Sequence, residues 1–200
     1  MTYDPTEYIL VAPADWLNTL CEQGFTSTIH HDFLARLPER VFFMARPAAE
    51  ANPQFRQIIP YVLVNYHGKY LTVTRQVTQT ETRLHNKVSL GIGGHINPVD
   101  GNPSNVLDAG LRRELSEELA TDNPPGLTDL ELVGLICDNA DEVSRVHLGV
   151  VMRWQAIEPI RIRETDKMDG SYLTLYEIRS HYDRLENWSR LVYDHLATHF

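Results

Sequence analysis

The chain has 200 residues, enough for one domain with a substantial extension, and its 42% hydrophobic content fills one ordinary core. At 22% charged residues it is no disordered polymer, and a formal net charge of -9 makes it a poor non-specific partner for nucleic acid or anionic membrane. A bound cation would still invert that field locally and admit a small anionic substrate.

Two cysteines, Cys21 and Cys137, stand outside any CxxC motif and demand no disulfide. The start, MTYDPTEYILVAPADWL, is acidic rather than basic and has no long apolar run, so no signal peptide is expected. No stretch approaches the ~20 apolar residues of a membrane span. A reducing cytoplasm is the expected setting.

Residues 1–50 read as an N-terminal extension packed on a domain of residues 51–200. Within the extension, PADWLNTLCEQGF suits a short helix begun at Pro13 or Asp15, TSTIHHDFLARLPE is ambiguous, and RVFFMARP suits a short strand. The prolines of PAAEANPQ, around residues 47–54, mark a loop. Further on, IIPYVLVNY and KYLTVTRQV are strands joined at His67-Gly68. TQTETRLHNKVS is loop-like, LGIGGHI is the end of a short glycine-rich strand, and PVDGNPSN is rich in turn formers.

Residues 105–120 predict a helix, capped by Ser104 or Asn105 with Asp108 in a capping-box-like position. Leu107, Leu111, Leu115 and Leu119 recur every four residues as its buried stripe, and DNPPG ends it. LELVGLICDN, with Cys137 buried in it, and RVHLGVVMRWQAI are two more strands. EPIRIRETDKMDG is a charged loop, and SYLTLYEI a short strand. Leu185, Trp188, Leu191, Val192 and Leu196 face the core from a closing helix, which makes Trp188 a core residue rather than a nucleobase platform. This order predicts an α+β fold with a mixed sheet between helices, an α/β/α sandwich, rather than a doubly wound one.

Glu114, Glu117 and Glu118 share one face of the 105–120 helix, next to the leucine stripe. Like charges so spaced repel by a few tenths of a kcal/mol per pair. A solvated acidic face is the common meaning of such a run. The alternative is a carboxylate cluster for Mg²⁺ or Mn²⁺, hard ions that take oxygen ligands and suit phosphorylated substrates. Other sites fail. Counted from Asp100, an EF-hand would need glycine at Asn105 and glutamate at Leu111, and there is no GxxxxGK[ST], no GxSxG and no zinc spacing of Cys or His.

GIGGH, Gly94 separated by five residues from Asp100, and the run Arg113-Glu114-Leu115 with Glu117-Glu118 together resemble the Nudix box, G-x5-E-x7-R-E-U-x-E-E-x-G-U with U aliphatic. Three positions depart from it. Asp100 replaces glutamate, twelve residues rather than seven separate Asp100 from Arg113, and Ala120 replaces glycine. The enlarged loop and ENWSR resemble a phosphoesterase-like subgroup of the family.

The resemblance implies a Nudix fold and a hydrolase that opens the phosphoric anhydride of a nucleoside diphosphate linked to another group, by water attack at phosphorus. It implies Mg²⁺ or Mn²⁺ held by Glu114, Glu117, Glu118 and the Gly94 carbonyl, with Glu117 and Glu118 also catalytic. Gly93, Asp100 and Arg113 would be structural residues of the box. Glu164 stands where members recruit a further carboxylate, Asp141 and Glu142 being weaker candidates and more in keeping with a solvated turn. Arg75, Arg83 and Lys87 are candidate phosphate contacts, and His95 suits a packed or hydrogen-bonded loop histidine better than a base. The implied partner is a small phosphorylated molecule, with no nucleic acid or membrane, and a homodimer is expected.

Isopentenyl diphosphate isomerases share this fold but need a catalytic cysteine in a loop unlike the settings of Cys21 and Cys137. The alternative function is a catalytically silent Nudix-fold module that binds a nucleotide or phosphorylated metabolite as a sensor or regulator. Such regulators usually add a winged-helix domain, and too few residues follow position 180 for one.

Overall fold

Ten consecutive buried residues, Arg56 to Asn65, make β4 (Phe55–Tyr66) the spine of a mixed sheet. A strand covered on both faces must be apolar on both, and from Ile58 to Val64 this one is. The structure, a computed structural model, describes residues 7–29, 32–75, 87–101, 104–163, 165 and 168–198. On one side β4 runs parallel to β8 (His147–Gln155), from the Gln57–His147 pair to Asn65–Gln155. Antiparallel to β8 lies β7 (Glu131–Cys137), then β2 (Gly24–Thr26). On the other side β4 meets β1 (Tyr8–Pro13), and β1 meets β3 (Phe42–Ala45), both antiparallel. His67 and Gly68 both have positive φ, as a two-residue hairpin turn of type I′ requires, and lead to β5 (Lys69–Arg75). β5 pairs in turn with β6 (Val88–Ser89) and β9 (Met168–Leu173).

Alternate side chains of β4 point to opposite faces. Ile58, Val62 and Val64 pack with Leu107, Leu111 and Leu115 of α4 (Val106–Glu118), while Tyr61 and Leu63 pack with Val192, Tyr193 and Leu196 of α6 (Asn187–Thr198). The α+β class and the mixed sheet between helices are therefore as the sequence predicts. Strands β1, β2 and β3, all before residue 50, belong to this same sheet. The short helix after Pro13 is α1 (Ala14–Asn18), and the ambiguous segment holds α2 (Phe33–Arg36).

Four expectations need correction. Residues 46–51 are not loop but helix, α3 (Arg46–Ala51), with Pro47 in its first turn, where a missing N–H costs nothing. The Asn105 side chain makes no cap, and Asp108 closes no capping box, accepting from Arg112 Nε at 3.0 Å and Leu127 N at 2.7 Å instead. The strand expected over SYLTLYEI stops at Leu173, where a Thr174–Glu177 capping box starts α5 (Leu175–Arg179). Cys21 and Cys137 are both buried and form a disulfide between the segment after α1 and β7. Among the described residues no helix is long and apolar enough to cross a membrane.

Candidate active site

The glycine-rich loop lies in a split of the sheet. Strands β1 and β4 pair only as far as Val11–Gln57 and then diverge. Residues 91–96 fill the gap. Val62 and Ile92 exchange both backbone hydrogen bonds, at 2.8 and 3.0 Å, and Leu10 N donates to Ile96 O at 2.9 Å. Pro60 sits on the same side of β4 as Val62, so its missing N–H faces this loop and costs β4 no bond to β8. Glycines let the loop come this close. A Cβ at Gly93 would lie 1.7 Å from Pro60 O, and one at Gly94 2.4 Å from Glu114 Oε2.

Arg113 joins the loop to α4. Its Nε and Nη2 hold the two oxygens of Asp100 at 2.7 and 3.0 Å, and Nη2 also reaches His95 O at 2.8 Å and Asn97 Oδ1 at 3.1 Å. Nη1 donates to Glu114 Oε1 at 2.8 Å and lies 3.3 Å from Glu117 Oε2. The bidentate bond to Asp100 and the neighbouring carboxylates hold its pKa well above the usual arginine value. Asp100 is buried and also accepts from Asn97 N at 2.8 Å. It supports the loop, in a shorter arm than glutamate would give.

Glu114, Glu117 and Glu118 all lie on α4, and Glu114 packs against Gly94. Burial raises the pKa of Glu114 and Arg113 opposes that shift. Glu117 is exposed, and Glu118 half-buried. Beyond Glu118, Arg163 N donates to Glu118 O and Ala120 N to Arg161 O, both at 2.8 Å, which ties residues 161–163 to the foot of α4. Glu164 and Arg83 lie outside the described residues, as does the side chain of Arg75, whose backbone pairs with Met168.

A cleft of about 560 Å³ opens beside Gly93 and Gly94. Lys87, Tyr61, Trp188, Arg190 and Asp141 are in its wall. Trp188 is half-buried and meets Tyr61 edge-on at 5.7 Å, so it serves core and cleft together. Tyr61 Oη lies 2.7 Å from both Glu186 Oε1 and Ser189 Oγ, and burial with the Glu186 charge holds the phenol well above its usual pKa. Asp141 Oδ1 accepts from Ser144 N at 2.7 Å, a turn role, and Glu142 is exposed.

His95 is the packed, hydrogen-bonded histidine that the sequence suggests. Its Nε2 lies 2.7 Å from Gln57 Oε1, and burial, then the charges of Arg46, His147 and Arg113, lower its pKa to about 3. The same wall holds three residues that the sequence reading missed, Arg46, Glu50 and His147. Pro47 followed by Ala-Ala-Glu-Ala could have signalled the helix that carries the first two. Nothing around His147 distinguishes it from any other strand residue. Among the described residues, Glu50, His95 and His147 are the three ligating side chains gathered within 4.8 Å, whereas the box glutamates, with Arg113 among them, stand further apart.

No family model matches the chain. It is 35% identical to YmaB of Bacillus subtilis (strain 168) over 94% of this chain and 96% of that one. The structure of Tm1382, provisionally described as a Nudix hydrolase, matches with a TM-score of 0.82 at 31% identity, over 97% of this chain and 100% of that one. The Nudix domain of Shewanella oneidensis NrtR, complexed with ADP ribose, shares the fold, with a TM-score of 0.52 at 13% identity over 72% of this chain and 88% of that one. The box geometry and these likenesses agree, and the chain belongs to the Nudix hydrolase family.

Proposed function

We propose that the protein is a Mg²⁺- or Mn²⁺-dependent hydrolase that cleaves the phosphoric anhydride of a nucleoside diphosphate linked to a further group, with water attacking phosphorus. The observation that supports this best is the seat of Glu114 against Gly94, where the backbone and a carboxylate meet with no room for a side chain between them. The donor set is all oxygen, which fits a hard divalent ion, and burial disfavours the charge that a cation on Glu114 would offset. Glu114, Glu117, Glu118 and the Gly94 carbonyl would hold the ion. Bound there, it would neutralise diphosphate charge and lower the pKa of water.

The remaining roles fall to Arg113 and to side chains of the cleft, which meets the box at Gly93 and Gly94. Arg113 keeps α4 and the glycine loop in register through Asp100 and His95 O. Lys87 and Arg190 offer positive charge to phosphate oxygens, and Arg75 and Arg83 are proposed to join them. Tyr61 and Trp188 give a planar substrate group an aromatic wall. Glu117 and Glu118 are proposed as catalytic, together with Glu164. Glu164 follows directly on Arg163, which is bonded to Glu118 O. Membership of a hydrolase family and the NrtR complex with ADP ribose are in keeping with a small phosphorylated substrate. A homodimer independent of nucleic acid and membrane completes the proposal.

The test is Mg²⁺-dependent phosphate release from nucleotide sugars, dinucleotides and nucleoside triphosphates, with Glu118→Gln alongside. Turnover of at least one compound, abolished in Glu118→Gln, is expected. No turnover by a folded protein would favour the catalytically silent module instead.

A further inference from the structure

Three side chains that the box does not use meet on one wall of the cleft. Glu50 comes from α3, His95 from the glycine loop and His147 from the start of β8, and each brings a ligating atom within 4.8 Å of the others. The rings approach with centroids 5.7 Å apart.

Each ring has one nitrogen tied to an oxygen. His147 Nδ1 lies 2.6 Å from Val143 O, an acceptor only, so that nitrogen carries the proton and the lone pair is on Nε2. His95 Nε2 donates to Gln57 Oε1, which puts its lone pair on Nδ1. Gln57 is fully buried and cannot swing away. Metal-bound imidazoles have the same support, one N–H given to an oxygen, which leaves the second nitrogen as the ligand. The Glu50 carboxylate lies 3.6 Å from Arg46 Nε, and Arg46 is itself paired to Glu7 at 2.8 Å. Its positive charge opposes a cation here, and the Glu7 pair offsets much of that opposition.

Two imidazoles and one carboxylate differ in kind from the all-oxygen set on α4. They suit Zn²⁺ and its neighbours in the transition series rather than Mg²⁺. Donors around a tetrahedral ion with ~2.1 Å bonds stand about 3.4 Å apart, so the triad must contract by at most about 1.4 Å, within reach of side-chain rotation. Three protein ligands leave a fourth position, and all three residues line the cleft.

We propose that Glu50, His95 and His147 form a second metal site, for a divalent transition ion of the zinc class, with its open position turned to the cleft where a water or a substrate oxygen can bind. The site is independent of whether the acidic helix supports turnover. It is joined to the box through the peptide of His95, whose carbonyl accepts from Arg113.

The experiment is titration of the full chain, stripped of metal, with Co²⁺ in an excess of Mg²⁺ that saturates the acidic helix, read by visible d–d absorption. One equivalent of Co²⁺ should give these bands, Zn²⁺ should displace it, and Glu118→Gln should leave them unchanged. Glu50→Gln and His147→Gln should each weaken binding at least tenfold. Glu50→Gln keeps the shape of a helix residue, so its metal-free melting curve will confirm that it folds. Absence of the bands, or bands that survive both triad substitutions or vanish in Glu118→Gln, would overturn the site.

Discussion

Gly93 and Gly94 are adjacent, yet alanine at each should fail in a different way. At Gly93 the new Cβ would meet Pro60 O at 1.7 Å and Pro60 C at 2.8 Å, both backbone atoms of the central strand. Non-bonded atoms settle at about 3.5–4.0 Å, so the loop and β4 must part by well over 1 Å. Overpacking costs roughly 1–3 kcal/mol and sometimes more, and a rigid backbone partner sets this case near the top, about 3 kcal/mol. For a chain of this size that lowers Tm by about 6–12 °C. At Gly94 the clash is 2.4 Å to Glu114 Oε2, the free end of a side chain that can rotate. Losing the Glu114–Arg113 bond costs about 1 kcal/mol, and alanine returns roughly 0.4–1 kcal/mol by restricting the unfolded chain. Metal-free stability should stay within about 1 kcal/mol of wild type, while Mg²⁺ affinity falls at least about tenfold, or ~1.4 kcal/mol, because Glu114 is displaced. Thermal melts in chelator and Mg²⁺ titrations would separate the two effects. Equal loss of metal-free stability in both variants, or unchanged Mg²⁺ affinity in Gly94→Ala, would refute this reading of the loop.

Arg113→Lys should cost about 3 kcal/mol in urea unfolding, since one ammonium cannot serve both oxygens of a carboxylate that is 3% exposed as well as His95 O. A loss under about 1 kcal/mol would show that Asp100 is held by other means. Tyr61 gives a pH signature. The unfolded phenol ionises near 10.0, whereas burial and Glu186 keep the folded one protonated higher. Its contribution is therefore complete below pH 10.0 and is lost as pH rises through the raised folded value. Tyr61→Phe should be less stable at neutral pH by about 1–3 kcal/mol but fall less steeply above that point, as melts across alkaline pH would show. Reducing the Cys21–Cys137 disulfide, which closes a separation of 116 residues, should cost about 2–4 kcal/mol, read as the difference between urea midpoints with and without a phosphine reductant.

The helix from Val106 to Glu118 was legible because two independent patterns coincide on it, a leucine every fourth residue and glutamates on the adjoining arc. The hairpin at His67-Gly68 was legible because a two-residue turn needs positive φ, and glycine supplies it freely. What sequence could not carry is proximity across the fold. Glu50 is separated from His95, and His95 from His147, by intervening strands and loops. Only the pairing of β4 with β8 and the seating of the glycine loop against β4 bring them to one wall. Motif spacing rejects zinc because it reads ligands along one element, whereas this triad takes one ligand from each of three. Cys21 and Cys137 are hidden from a reading of local spacing for the same reason. Their approach depends on β2 pairing with β7 in the register Gly24–Cys137. Local chemistry therefore announces the acidic helix, while the cleft wall that gathers Glu50, His95 and His147 is written in strand register.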